Sequence, residues 1–406
     1  MKQINIPENS SYTLGPEYTE DLNEFLNENK DLPLRLNGNT ILFDDYTIGS
    51  LTIRDQTIVV IPRIQNLTPN HFFEMQLYNE GLLNNNISGL LGENSQFGIQ
   101  QNVIQLFLDE ALELVAQGVE GAFNRIEEET NIIKGRILIE KISPVNLLQD
   151  RIPIEFDVHT RQTSFNKIIK LALDKVRILI EGIEQKKMFA LVNSYFDDID
   201  TLVTDLPRLL QENESKLYYE NDKYPVVIGL ALKILKDLKL NMRNNEVLAS
   251  SYLVNSNNLF ENYVRKVLAD KLKNSVSKWN SPKKIGQFSI GDNIFEKSYI
   301  PDIMLGYHKD TNNALAVLDA KNKDITNFQN IGSLADLYQI LFYCYSLDTK
   351  SGGIVYPYFG SLNPVRLNID SFKETNLFAF NIDFSLPLGK RNEVFVNDVK
   401  QTLSVN

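Results

Sequence analysis

The chain has 406 residues, 43% of them hydrophobic, which is enough apolar material for two or three domain cores and excludes a largely disordered chain. Its 41 Lys and Arg against 52 Asp and Glu leave a net charge of −11, which argues against a protein that coats nucleic acid with cations over its whole surface. One cysteine, Cys344, and three scattered histidines, His71, His159 and His308, exclude an internal disulfide framework and a zinc cluster. A metal bound here needs oxygen ligands, which selects magnesium or manganese. No apolar run approaches the roughly 18 residues that span a bilayer. The opening Met1-Lys-Gln-Ile-Asn-Ile-Pro7 is too polar for a signal peptide, so the expectation is a cytoplasmic protein with no membrane partner.

In chain order, the first 30 residues are acidic, with Glu8, Glu17, Glu20, Asp21, Glu24 and Glu28 against Lys2 and Lys30. Short strands are expected at Ile41–Phe43, Ser50–Ile53 and Thr57–Ile61, where β-branched residues lie between turn formers. An Asn- and Gly-rich loop follows from Asn84 to Gly98, then a helix from Gln101 to Glu129. The run from Ile132 to Glu140 reads as a turn and strand, in a β segment ending near Phe156. Phe165, Ile168, Ile169, Ala172, Val176, Leu179 and Ile180 recur at the spacing of one helix face. Further helices are expected at Val192–Leu217, Pro225–Leu240 and Ser251–Asn274. The last part alternates: strands at Gly286–Ile290, Tyr299–Leu305 and Ala314–Asp319, a helix over Ile325–Leu347, and strands at Gly353–Tyr358 and Leu377–Ile382. The fold class is therefore α+β: a β-rich N-terminal module (1–155), a helical connector (156–250) and a mixed-sheet domain flanked by helices (251–406).

The chemistry-bearing residues lie in that last part. Tyr299-Ile-Pro-Asp302-Ile-Met-Leu305 is an apolar strand with one acid, and Ala314-Leu-Ala-Val-Leu-Asp319-Ala-Lys321 is the next. Strand side chains alternate, so Asp319 and Lys321 share a face with Val317, and Asp302 shares one with Ile300 and Met304. Charges in buried strands cost several kcal/mol unless paired or metal-bound, and two carboxylates meeting at a divalent cation resolve that cost. Such an ion polarises a phosphate, and Lys321 then positions water or stabilises charge in the transition state. On the preceding helix, Glu261 lies at the edge of the stripe formed by Phe260, Tyr263, Val264, Val267 and Leu268. It reads either as a further carboxylate at the metal or as a surface ion pair with Arg265 at i+4. The helix after the lysine is apolar nearly all round (Leu334, Leu337, Ile340, Leu341, Phe342, Tyr345) and is expected to be buried. Its Asp336, Gln339 and Tyr343 share one side, and the lysine or a DNA phosphate would satisfy them. Between Asn262 and Lys284 the cations Arg265, Lys266, Lys271, Lys273, Lys278, Lys283 and Lys284 face one anion, Asp270. The run reads as a solvated face or as a phosphate-binding surface.

The set Asp302…Asp319-Ala-Lys321 followed by Asp336-Leu-Tyr-Gln339-x-x-x-Tyr343 resembles the PD-(D/E)xK nuclease superfamily. With Val59-Val-Ile-Pro-Arg63-Ile, Lys134-Gly-Arg-Ile-Leu-Ile and Leu259-Phe-Glu-Asn-Tyr-Val264, it is similar more narrowly to the McrC subunits of McrBC-type restriction systems, 5-methylcytosine-specific or LlaJI-like. The family often carries Lys where this chain has Arg63, which keeps the charge. The resemblance implies a magnesium-dependent endonuclease cutting double-stranded DNA, in which Asp302, Asp319 and the Ala320 carbonyl hold the metal. It also implies that Lys321 is catalytic, Gln339 supports it, Glu261 assists, and the N-terminal region docks onto a hexameric McrB-type AAA+ GTPase and stimulates it. No G-x-x-x-x-G-K-[ST] loop is present, since the one Gly-Lys pair, Gly389-Lys390, lacks the earlier glycine, so a partner must hydrolyse any nucleotide. Nor is there a G-x-S-x-G elbow or a Cys-His pairing. The other readings left open are an adaptor that only activates a partner NTPase, and a stand-alone DNA repair nuclease.

Overall fold

The computed structural model describes residues 2–83, 99–201, 208–209, 221–243, 246–272, 275–277, 283–290, 293–369 and 374–404. They form an α+β protein of two compact units, Met1–Gln100 with Lys239–Asn406, and Gln101–Leu238. These units divide the chain differently from the three consecutive segments read in the sequence. The reason is a strand pairing: Glu246–Asn255 lies antiparallel beside Thr47–Ile53, which brings the stretch after residue 238 back to the N-terminal sheet. No helix among the described residues is long and apolar enough to cross a membrane.

The first unit holds two sizeable sheets. One has five strands in the order Lys2–Pro7, Gln56–Ile61, Thr47–Ile53, Glu246–Asn255, Lys239–Arg243. Ile41, Leu51, Ile53, Ile58 and Val60 pack there against Leu22 and Phe25 of the Pro16–Glu28 helix, each burial contributing about 1.5–3 kcal/mol. The N-terminal acids are largely spent inside this unit: Asp21 pairs with Arg54, Glu24 with Arg243 and Asp31 with Lys239.

The other sheet is mixed, in the order Val276–Ser277, Ile303–Leu305, Ala316–Ala320, Ser351–Tyr358, Asn376–Asp383, Val365–Leu367. Ile303–Leu305 runs antiparallel to Ala316–Ala320, which is parallel to Ser351–Tyr358. The helix Leu334–Ser346 makes the crossover between the two parallel strands. Alternation divides the sheet's apolar residues between two cores. Ile303, Leu305, Ala316, Leu318 and Ala320 pack with Tyr263, Val264 and Val267 of the Ser256–Leu272 helix and Phe395 and Val399 of the Leu388–Leu403 helix. Met304, Val317, Ile354 and Tyr356 pack with Ile340, Tyr343 and Cys344 of the Leu334–Ser346 helix. The result is a sheet covered by helices on both faces.

The second unit has an antiparallel sheet, ordered Ala122–Thr130, Ile152–Thr160, Arg136–Ile137, and helices that include Ser164–Val176, Ile183–Ser194 and Tyr224–Asp237. The Tyr224 hydroxyl donates to Asn166 Oδ1 at 2.7 Å and accepts from the Glu120 backbone N–H at 2.9 Å, tying a helix to the sheet's entry.

Several elements differ from the sequence reading. The helix expected to reach Glu129 is Ile99–Gln117, because Gly118 takes φ +112°, and residues Ala122–Thr130 pair as a strand with Ile152–Thr160. Ser251–Asn255 belong to a strand, so the helix expected from Ser251 starts at Ser256 and is described to Leu272. Pro301, which lacks an N–H, breaks the expected Tyr299–Leu305 strand: Asn293–Tyr299 pairs instead with Lys283–Ile290 as a separate hairpin. The Leu334–Ser346 helix is shorter than expected because Gly332 takes φ +63° before it. That helix is also not buried all round, since Leu334, Tyr338 and Tyr345 are 63%, 64% and 88% exposed. The helix expected at Val192–Leu217 is Ile183–Ser194 as far as it is described. The loop expected at Asn84–Gly98 and most of residues 202–217 lie outside the described residues.

Candidate active site

Extending the register of the antiparallel pair Ile303↔Leu318, Met304↔Val317 by one residue sets Asp302 opposite Asp319. Met304 and Val317 both point into the core under the Leu334–Ser346 helix, so alternation directs Asp302, Asp319 and Lys321 to that same face. The sequence-derived triad therefore converges. Asp302 Oδ2 accepts the Ala320 backbone N–H at 3.1 Å, and Lys321 Nζ lies 2.7 Å from Asp319 Oδ2. Lys321 also donates to Gln339 Oε1 at 2.8 Å. Gln339 Nε2 donates to the Tyr343 hydroxyl at 2.8 Å, and Tyr343 donates to the Ile300 carbonyl at 3.2 Å. One helix face thus holds the lysine in place through a rail of hydrogen bonds.

Asp319 is fully buried, and neither of its carboxylate oxygens accepts a hydrogen bond of regular geometry; the Lys321 ammonium is the neighbour of Oδ2. Burial raises the Asp319 carboxyl above the usual range, opposed by Lys321. Burial first, then the charges of Asp319 and Glu261, push Asp302 up to about 8, while the Ala320 N–H opposes this. The two acids titrate together, and at neutral pH the pair retains a proton that ordinary carboxylates have lost. Burial also pushes Tyr343 up to about 12.

Glu261 stands in the ion pair weighed from its i+4 spacing: Arg265 Nη1 is 3.0 Å from Glu261 Oε1. The same nitrogen donates to the Asp302 carbonyl at 3.2 Å, so the pair abuts the acidic centre without Glu261 joining the carboxylate pair directly. Asp336, expected beside the catalytic lysine, pairs instead with Lys323 at 2.6 Å and accepts from Ser333 at 2.7 Å. The sequence reading passed over Lys323, although continuing the alternation 319, 321, 323 marks it.

The basic run is mostly engaged with its own neighbours. Lys266 pairs with Asp270, and Lys284 with Glu296 and Gln287, while Lys271 is exposed. Arg265 and Lys266 line a cavity of about 440 Å³ with Asn79, Asn262, Ala269, Val276 and Ser277. Lys273 and Lys278 lie outside the described residues, as does the Lys283 side chain.

Among the described residues no three His, Cys, Asp or Glu side chains group as a metal site. The donor set is two buried carboxylates, one with both oxygens unsatisfied, and the adjacent Ala320 carbonyl. An all-oxygen, incomplete set of this kind fits magnesium, which keeps several waters and takes one or two protein carboxylates.

A family model described as McrBC 5-methylcytosine restriction system component matches residues 44–357. No curated protein matches the chain. Among solved structures, the chain is similar to one in a refined half-complex from a tetradecameric assembly of Thermococcus gammatolerans McrB AAA+ hexamers with bound McrC. The TM-score is 0.70 at 16% identity, over 98% of this chain and 100% of that one. A chain of the Thermococcus gammatolerans McrBC complex solved by cryo-EM also aligns, with TM-score 0.49 and 14% identity, over 66% of this chain and 87% of that one.

Proposed function

The chain belongs to the McrBC 5-methylcytosine restriction system component family, and from that premise we propose that it is the McrC-type subunit that cuts double-stranded DNA, by magnesium-dependent phosphodiester hydrolysis of the PD-(D/E)xK kind. The observation that carries this reading is the convergence of Asp302, Asp319 and Lys321 on one face, with both Asp319 oxygens buried and lacking regular hydrogen bonds. A buried carboxylate left in that state is costly unless a ligand completes it.

Asp302, Asp319 and the Ala320 carbonyl would hold the ion; manganese fits the same oxygens. When bound, the metal supplies Lewis-acid polarisation of the scissile phosphate. Lys321, pinned by Asp319 and Gln339, donates to the phosphate oxygen on which negative charge grows and orients the attacking water. Gln339 and Tyr343 keep the ammonium from swinging out of line. Glu261 fixes Arg265, which in turn anchors the Asp302 main chain. Arg265 and Lys266, with Lys271, Lys273, Lys283 and Lys284, are the proposed contacts to the DNA backbone; the cavity under Arg265 and Lys266 supports the first two.

The proposed partner is a McrB-type AAA+ GTPase hexamer, as in the Thermococcus gammatolerans assembly. Residues 1–155 are the part proposed to meet it, and exposed Phe123, Ile126, Ile132 and Ile133 offer apolar surface there. The test is plasmid cleavage by the chain assembled with its partner, GTP and magnesium. Asp319→Ala and Lys321→Ala are expected to abolish cutting while partner binding and GTPase stimulation persist. Normal cutting by Asp319→Ala would remove the site assignment, and stimulated GTPase without metal-dependent nicking under any condition would select the adaptor.

A further inference from the structure

We propose that Arg63 is a positioning residue for Lys321, acting through the main-chain carbonyl of Asn322; the inference rests on the nuclease reading above. Arg63 follows Pro62 at the end of the Gln56–Ile61 strand, in the N-terminal sheet. Its Nη2 donates to the Asn322 carbonyl at 2.7 Å, across 259 positions of sequence. Asn322 is the residue after Lys321, at the point where the chain leaves the mixed sheet: Lys321 N still bonds Val355 O at 2.8 Å, and the Lys323 N–H already turns back to the Lys321 carbonyl at 2.8 Å. The direction of the Lys321 side chain therefore depends on what fixes the next peptide.

Four residues from four elements close a circuit around that peptide. Asn322 Nδ2 donates to Ser256 Oγ at 2.8 Å, the Ser256 hydroxyl donates to Glu8, and Glu8 Oε2 accepts the Arg63 backbone N–H at 3.3 Å. Arg63 then returns to Asn322. Glu8, Ser256 and Asn322 are 5%, 0% and 1% exposed, and the Arg63 guanidinium lies 4.9 Å from the centre of the Tyr46 ring. Arg63 Nε and Asn322 Oδ1 are buried with no hydrogen-bond partner. A purely structural network would be expected to satisfy such atoms, whereas one that trades local satisfaction for a fixed direction tolerates them. Ser256 opens the helix that carries Glu261 and Arg265, so the circuit ties the N-terminal sheet to both sides of the acidic centre. A charged donor on the carbonyl is the strong link in that circuit, and displacement of a reacting group by about 1 Å can reduce a rate roughly a hundredfold.

The test is single-turnover cleavage of methylated and unmethylated plasmid by the full chain with its AAA+ partner, GTP and magnesium, with Lys321→Ala as reference. Arg63→Met is expected to lower the rate constant at saturating DNA roughly tenfold to a hundredfold, with DNA affinity and GTPase stimulation within about twofold of wild type. Arg63→Lys, which restores a cationic donor, is expected to recover most of the rate. Ser256→Ala, which removes only the acceptor of Asn322 Nδ2, is expected to lower the same rate constant roughly fivefold, the equivalent of one hydrogen bond, and decides the matter if Arg63→Met does not fold. Wild-type rates in Arg63→Met or Ser256→Ala beside an inactive Lys321→Ala overturn the positioning role alone. So does a loss of rate, DNA affinity and GTPase stimulation in common proportion, with no rescue by lysine. Normal cutting by Lys321→Ala overturns the nuclease reading and the inference with it.

Discussion

Asp302→Asn isolates the electrostatics of the acidic pair. Asparagine keeps the shape of the side chain and an oxygen for the Ala320 N–H, which Asp302 Oδ2 now accepts at 3.1 Å. What it removes is a carboxyl pushed up to about 8 by burial and by the neighbouring Asp319 and Glu261. An unfolded aspartate ionises near 3.9, so between about pH 4 and pH 8 the folded chain binds a proton that the unfolded chain does not. Stability must then fall as pH rises through that window, by at most about 1.4 kcal/mol per unit, and level off above the folded pKa. Four units give an upper bound of about 5–6 kcal/mol; water entry and relaxation around the pair reduce the expected plateau to about 2–4 kcal/mol. The assay is urea unfolding of the metal-free chain from pH 5 to pH 9, for wild type and Asp302→Asn. The variant should gain on wild type steadily with pH, and magnesium should flatten the wild-type slope, because the ion favours the doubly ionised pair. Parallel curves at all pH values would refute the argument that burial and mutual repulsion hold a proton at this site.

Gln339→Leu removes the acceptor that holds Lys321 Nζ, and single-turnover cleavage should fall roughly tenfold while stability changes by no more than about 1.5 kcal/mol. Gly353→Ala should cost about 1–3 kcal/mol in a urea titration, because its Cβ would meet Phe380 and Leu318 atoms at 2.6 and 2.7 Å inside the sheet's two cores. Glu74→Gln should destabilise the chain by about 3–5 kcal/mol in the same measurement. It leaves Arg391, 2% exposed and now 2.5 Å from Glu74, as a buried charge without its counter-ion. Cys344, whose thiol burial pushes up to about 12, should resist iodoacetamide at pH 8 in the folded chain and react once urea unfolds it.

The strands of the mixed sheet were legible because period-two alternation and apolar runs are local signals. Asp302, Asp319 and Lys321 could be set on one face from that period alone, and the face proved to be the one under the Leu334–Ser346 helix. Gln339 was legible through its helical spacing to Tyr343. Asp336 shows the limit of the same reasoning. Spacing correctly set it on the buried side of the helix, but could not choose between Lys321 and Lys323, which lie two residues apart on one strand direction and differ only in where the chain turns. The helix expected to reach Glu129 failed for a related reason, since Gly118 ends it and the following Ala122–Thr130 run takes its order from pairing with Ile152–Thr160, a partner over 20 residues away.

The interleaving of the first unit was not legible, because the pairing of Thr47–Ile53 with Glu246–Asn255 joins segments nearly 200 residues apart, and nothing local specifies such a partner. The same separation hid the link from Arg63 to Asn322, although both residues could be named from the sequence. Charge counting misled in a different way. The acidic N-terminus and the basic run after Asn262 each suggested a surface meant for another molecule. Yet Asp21, Glu24 and Asp31 meet Arg54, Arg243 and Lys239, and Arg265, Lys266 and Lys284 meet Glu261, Asp270 and Glu296. A cation already paired releases fewer counterions on binding a phosphate than a free one, so DNA affinity should depend less steeply on salt than seven cations would suggest. Cutting, by contrast, depends on geometry at Asp302, Asp319 and Lys321, and that is where substitutions should separate catalysis from binding.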